Sequence, residues 1–244
     1  MKVLAIDIGN TRIKWGFSER GSWLRQGWLP TVRAAELAAE FTALPAPERI
    51  VISNVAGAAA QQQVAAAVDG LAGAAQWITS AAAQCGVTSG YADPATLGSD
   101  RWAALIGAWH LTGQACVVVN VGTTMTVDAL SAEGAFLGGF IVPGFELMRG
   151  ALARDTANLA AWEGGFSYFP DNTGDAIASG AINALAGAVE RMRGYLAETA
   201  GAVPQVVLSG GGAALIEGRI GGRMTVVDNL VLEGLLQVAL QAGT

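Results

Sequence analysis

Apolar and polar positions along this chain follow an order that occurs twice. Val3, Leu4, Ala5 and Ile6 form a continuous apolar run, as a strand buried on both faces requires. Ile13, Trp15 and Phe17 alternate as a returning strand, and Gly9-Asn10 turns the chain between the two. Strand-like runs follow near 22–29, 49–54 and 75–79, with Ala-rich helical stretches near 31–43 and 57–70. Within the second stretch, Ala58-Ala59-Ala60-Gln61-Gln62-Gln63 is low in complexity. Val64, Val68 and Leu71 continue it at helical spacing, which predicts an exposed helix rather than disorder. Residues 83–98 have no period and contain Gly86, Gly90, Pro94 and Gly98, so a loop is expected, followed by a helix from Ser99 to about Leu111.

The pattern then restarts. Cys116 to Val121 reads as a buried strand, Gly122-Thr123-Thr124 as a turn, Met125 to Leu130 as the returning strand and Ala135 to Val142 as a third. Helices are expected near 144–153 and 174–199, then a strand from Gln205 to Leu208 leading into Ser209-Gly210-Gly211-Gly212. A short helix, a strand from Met224 to Val227 and a closing helix from Asn229 complete the chain. Asp7-x-Gly9-Asn10-Thr11 and Asn120-x-Gly122-Thr123-Thr124 occupy equivalent places in the two halves, which predicts an α/β fold duplicated over 1–114 and 115–244.

Composition narrows the class. The 244 residues are 52% hydrophobic and 14% charged, enough for a sizeable core under a sparsely charged surface that favours self-association. A net charge of -6 argues against a general nucleic-acid surface but leaves room for a local phosphate site. The two cysteines, Cys85 and Cys116, form no disulfide framework and suit a reducing compartment. No secretory signal and no run approaching the roughly 20 apolar residues of a membrane span is visible, so a cytoplasmic location without membrane partners is expected.

The first hairpin carries the chemistry. Glycine at its tip lets backbone N–H groups approach an anion, Asn10 and Thr11 add neutral donors, and Lys14 adds a full charge. Only two lysines occur, Lys2 and Lys14, in a chain that otherwise uses arginine. Asp7 at the end of the first strand can hold a magnesium ion, directly or through water, where phosphates arrive. The two hairpins, facing across a cleft, would grip the phosphates of one nucleotide from both sides.

Six segments in order resemble the type III pantothenate kinases, a family with the duplicated ribonuclease-H-like fold of actin-like ATPases and sugar kinases. They are Asp7 to Lys14; Tyr91-x-x-Pro94-x-x-Leu97-Gly98-Ser99-Asp100-Arg101; Asn120-x-Gly122-Thr123-Thr124-x-Thr126-x-Asp128; Gly139 to Gly144; Ser209-Gly210-Gly211; and Asp228 to Gly234. The resemblance implies ATP in the cleft between the domains, with Mg2+, and pantothenate as the substrate phosphorylated in the first step of coenzyme A biosynthesis. It implies that Asp7, Ile8, Gly9, Asn10, Thr11, Arg12, Ile13 and Lys14 bind ATP, with Thr123 and Thr124 on the phosphates and Gly210 and Gly211 on the adenosine side. Tyr91, Gly98, Ser99, Asp100, Arg101 and Thr173 would bind pantothenate, Thr173 from the second domain, and the chain would form a homodimer. Thr173 could equally be a helix N-cap.

The residue types fit that chemistry. A kinase acting on a primary alcohol needs a carboxylate to orient the hydroxyl and accept its proton, which makes Asp100 the expected catalytic base. Its neighbour Arg101 suits a substrate carboxylate. In one respect the chain departs from the family. Asn120 stands where many members carry an aspartate associated with a monovalent cation, so a K+ or NH4+ site is expected to be weakened, altered or absent. His110, the single histidine, is expected to be structural, and the seven tryptophans, including Trp102 and Trp162, to be core or interface residues. Two rival readings remain: another phosphotransferase or phosphohydrolase of the same fold, and a non-catalytic regulator that kept it.

Overall fold

The computed structural model describes residues 1–156, 159, 163–201 and 203–241. Trp162 lies outside these residues. The chain divides into two compact units, Met1–Gly113 with Asn229–Thr244, and Gln114–Asp228.

The first unit opens with a meander, β1 (Lys2–Ile8), β2 (Arg12–Glu19) and β3 (Ser22–Pro30), followed by α1 (Leu37–Phe41), β4 (Arg49–Asn54), α2 (Ala58–Val68) and β5 (Ala74–Trp77). Its sheet runs β3-β2-β1-β4-β5, antiparallel through the meander and parallel from β1 outward. The apolar pattern explains the layering. Leu4, Ile6 and Ile8 of β1 and Ile13, Trp15 and Phe17 of β2 are fully buried, and Trp15 meets Phe41 edge to face at 5.6 Å. On α2, Val64 and Val68 are buried while Gln61, Gln62 and Gln63 face solvent, as the helical spacing predicts.

Two expectations change in this unit. The stretch 31–43 is not one helix: Arg33 leaves helical geometry (φ -105°, ψ 19°), which separates a 3-10 turn over Thr31–Glu36 from α1. Residues 83–98 also contain a small hairpin, β6 (Ala83–Gln84) and β7 (Val87–Ser89), and a 3-10 turn over Pro94–Thr96. Its two-residue turn, Cys85-Gly86, has positive φ at both positions (52° and 80°), the geometry that matches hairpin twist. Cysteine is not among the residues that advertise such a turn.

After α3 (Ser99–Thr112), the second unit repeats the layout: β8 (Cys116–Val121), β9 (Thr124–Leu130), β10 (Ala135–Pro143), α4 (Phe145–Asp155), α5 (Thr173–Ala200), β11 (Gln205–Ser209) and β12 (Met224–Val227). Its strands run β10-β9-β8-β11-β12, with the same change from antiparallel to parallel at the first strand of the meander. Val117, Val119 and Val121 pack with Leu185, Val189 and Leu196 of α5 in a core of their own. The helix expected after Gly212 is two 3-10 turns, Ala213–Leu215 and Glu217–Arg219.

The closing helix, α6 (Leu230–Gln241), belongs to the first unit, not to the second half of the sequence. Glycines allow this. A Cβ on Gly107 of α3 would lie 2.7 Å from the Leu230 carbonyl oxygen, and one on Gly234 of α6 would overlap the Ala103 carbonyl. The backbones therefore approach closely, and side-chain periodicity alone does not show that pairing.

Candidate active site

In the first unit the strand register assembles the cluster. Asp7 of β1 lies opposite Lys14 of β2 on one side and Ser53 of β4 on the other. Ser53 Oγ is 2.9 Å from Ser99 Oγ in the first turn of α3, which brings the helix N-terminus and Asp100 to the end of β1. Gly98 caps that helix without a side chain; a Cβ there would lie 2.6 Å from Asp100 Oδ1, so glycine leaves the carboxylate its space.

The electrostatics are those of a cation site. Burial pushes the Asp7 carboxyl from 3.8 up to about 7; the negative charge of Asp100 adds to this and Lys14 opposes it. Asp7 Oδ1 is buried without a hydrogen-bond partner among the described residues. Burial also raises the Asp100 carboxyl, against the lowering effect of the Arg101 backbone N–H and charge. The Lys14 side chain makes no ion pair or hydrogen bond with a described residue, so its ammonium remains available. An orphaned carboxylate oxygen beside a second carboxylate fits a hard divalent ion that draws its other ligands from water and phosphate. No group of three or more metal-ligating side chains occurs among the described residues, and a magnesium nucleotide needs only one or two.

Beside this pair sits a second constellation. The Arg101 side chain is buried, its Nη1 donates to Tyr91 Oη at 3.2 Å, and its guanidinium lies 5.9 Å from the Tyr91 ring. Ser80 Oγ donates to the Leu97 carbonyl at 2.8 Å and Ser89 Oγ accepts from the Tyr91 N–H at 3.3 Å, which ties down both ends of the Tyr91–Leu97 loop. Ser80 and Ser53 carry no motif signal, and sequence reading passes over both. Trp102 is fully buried and donates to Gln84 Oε1, so its role is in the core. His110 is exposed at the far end of α3.

The second unit holds its hairpin by backbone contacts. The Gly144 N–H donates to the Thr123 carbonyl at 2.9 Å, and any Cβ on Gly144 would overlap the Gly122 and Thr123 carbonyls. Gly210 adopts φ +98°, and a Cβ there would lie 2.6 Å from Val121 N and 2.7 Å from Asn120 Oδ1. The Gly210-Gly211 loop therefore lies directly against β8 beside Asn120, a contact only glycine permits. Thr123 and Thr124 are exposed at the hairpin. Thr173 opens α5, but the N-cap is Asn172, whose side chain accepts from the Asp175 N–H at 2.9 Å. Thr173 instead lines an apolar groove of about 1070 Å³ with Leu147, Leu152 and Ile177.

The profile of the type III pantothenate kinases matches residues 3–194. The chain belongs to that family. It is 47% identical over 237 residues to the type III pantothenate kinase of Nitrosospira multiformis, covering 97% of this chain and 90% of the relative. Among solved structures it resembles a Campylobacter jejuni protein assigned to the Baf family of transcriptional activators (TM-score 0.62, 19% identity, 98% of each chain). It also resembles a Sinorhizobium meliloti protein assigned as a 2-dehydro-3-deoxygalactonokinase (TM-score 0.59, 18% identity, 98% of this chain and 99% of that one). These likenesses concern the fold, the two-sheet α/β fold of sugar kinases and actin-like ATPases. As a family member the chain is a kinase. Among its described residues, no helix is long and apolar enough to cross a membrane.

Proposed function

We propose that this type III pantothenate kinase transfers the γ-phosphoryl group of ATP to the terminal hydroxyl of pantothenate, the first step of coenzyme A biosynthesis. The observation that carries the reading is the grouping, within one unit, of the Asp7–Asp100 pair and Lys14 next to the Tyr91–Arg101 pair. One set of groups suits phosphate and metal; the other suits a carboxylate-bearing alcohol.

Asp100 is the base in this reading. Partial burial raises its proton affinity, which brings it nearer to what accepting a hydroxyl proton at neutral pH requires. Arg101, held by Tyr91, binds the pantothenate carboxylate, with Gly98 and Ser99 at the same helix start, and Thr173 is a further substrate-binding residue. Lys14 and the backbone of Ile8 to Ile13 take the phosphates, Thr123 and Thr124 add hydroxyl donors, and Gly210 and Gly211 serve the adenosine. Asp7, with its unpartnered Oδ1, would hold Mg2+, directly or through water. When bound, the ion neutralises charge on the phosphates. Most of the rate comes from positioning and from donors aimed at developing charge.

The protein acts in the cytoplasm as a homodimer, and the apolar groove beside Thr173 supports self-association. A monovalent cation contributes little, because Asn120 offers a carbonyl oxygen without charge. A regulator that kept the fold would have no need of Asp7, Lys14 and Asp100 together. The deciding experiment follows ADP release from ATP. The reading expects release only when pantothenate is added; release without it, or none with it, refutes the assignment.

A further inference from the structure

We infer that Trp28 is a positioning residue for nucleotide phosphate, holding the Arg12 guanidinium over the first hairpin, with Thr31 bracing the hairpin tip. This rests on the reading that the hairpin binds the phosphates of ATP.

Ser53, Asp7, Lys14 and Trp28 form one row across β4, β1, β2 and β3. Cross-strand partners project to the same face, so Trp28 ends the row that contains the phosphate lysine. Sequence expects every tryptophan in a core or interface, yet Trp28 is 56% exposed, whereas Trp15 and Trp102 are fully buried. What covers its ring is Arg12, two residues before Lys14 and so on the same face, with its guanidinium 4.4 Å from the ring centroid. The Arg12 side chain makes no hydrogen bond or ion pair with a described residue. Its side chain is thus held by a contact that uses none of its N–H donors, and all of them stay available to an anion.

The next turn of chain secures the tip. Thr31 Oγ1 donates to the Gly9 carbonyl at 2.7 Å, and the Thr31 N–H donates to the Thr11 carbonyl at 3.0 Å. The Gly9 N–H donates to the Arg12 carbonyl at 3.0 Å. These donors occupy the tip carbonyls, whose negative ends would otherwise repel phosphate. The end of β3 and the turn that follows it thus fix both the charged side chain and the backbone of the hairpin before any ligand arrives, which lowers the ordering cost of binding.

Calorimetry with inorganic tripolyphosphate and with adenosine, on the metal-free full chain, tests this. Trp28→Leu should weaken tripolyphosphate about two- to fivefold, the worth of one exposed cation–π contact, and leave adenosine unchanged. Trp28→Phe, which keeps a π face, should recover most of the loss. Thr31→Val should act in the same direction and Thr31→Ser should restore binding. On an Arg12→Gln background, Trp28→Leu should have no further effect. In the kinase assay Trp28→Leu and Thr31→Val should raise KM for ATP while leaving kcat and KM for pantothenate within twofold. Unchanged tripolyphosphate binding in Trp28→Leu, no binding to the unmodified chain, no recovery with Phe, or additive losses with Arg12→Gln would each overturn the inference. Absence of pantothenate-dependent ATP turnover in the unmodified chain would overturn the functional reading instead, and the tripolyphosphate series decides the positioning role without it.

Discussion

The Asp100 carboxylate lies close enough to Asp7 to add to the rise in its proton affinity. One residue lies near the end of a core strand and the other opens a helix; the Ser53–Ser99 contact ties that helix to β4, the strand paired beside Asp7. Like charges are gathered where burial already disfavours them, which makes sense at a site that receives a cation.

Asp7 gives the chain a pH-dependent stability of definite sign. Its carboxyl titrates near 7 when folded and near 3.8 when not. Below the lower value both states are protonated and no penalty exists. As pH rises between the two values, the folded state holds a proton the unfolded state has lost, so stability falls. Above about 7 the full cost, up to about 4 kcal/mol, is present. Asp7→Asn should therefore stabilise the metal-free chain against urea at pH 8 much more than at pH 4. An equal gain at both would show that Asp7 does not titrate this way.

Asp100→Asn keeps the size of the side chain and removes the base. Turnover should fall about 10²- to 10⁴-fold while ATP affinity by calorimetry stays close to that of the unmodified chain. Turnover within a factor of about three would exclude Asp100 as base.

Lys14→Ala should raise the Kd for ATP about tenfold or more, the worth of a charge-assisted hydrogen bond, and that for pantothenate far less. Equal weakening of both ligands would place the lysine outside the phosphate site or signal a folding defect.

Asn120 predicts little response of activity to potassium or ammonium. Asn120→Asp should increase the response, since a charged oxygen binds a hard cation better than an amide. Titrating potassium against sodium at constant ionic strength checks it. A strong potassium requirement in the unmodified chain would refute the inference about Asn120 and leave the kinase reading intact.

Local pattern was enough for much of this protein. The run Val3–Ile6, the alternation of Ile13, Trp15 and Phe17, and the restart at Cys116 specify strands and hairpins, because side-chain period and turn residues act over a few positions. Their repetition gave the duplicated fold, and the motifs gave the family. The pairing of α6 with α3 through Gly107 and Gly234 was not legible, because it depends on missing side chains far apart in sequence. The Cys85-Gly86 turn was hidden for a different reason: a left-handed cysteine is stabilised by its surroundings rather than by its own preference. Tertiary structure alone decided which side chains share a site. Strand register set Asp7 beside Lys14 and Ser53, and Trp28 beside Lys14, and the packing of α3 brought up Asp100. Register and packing fix burial and charge–charge distance together, and these turn an ordinary aspartate into one that titrates near 7.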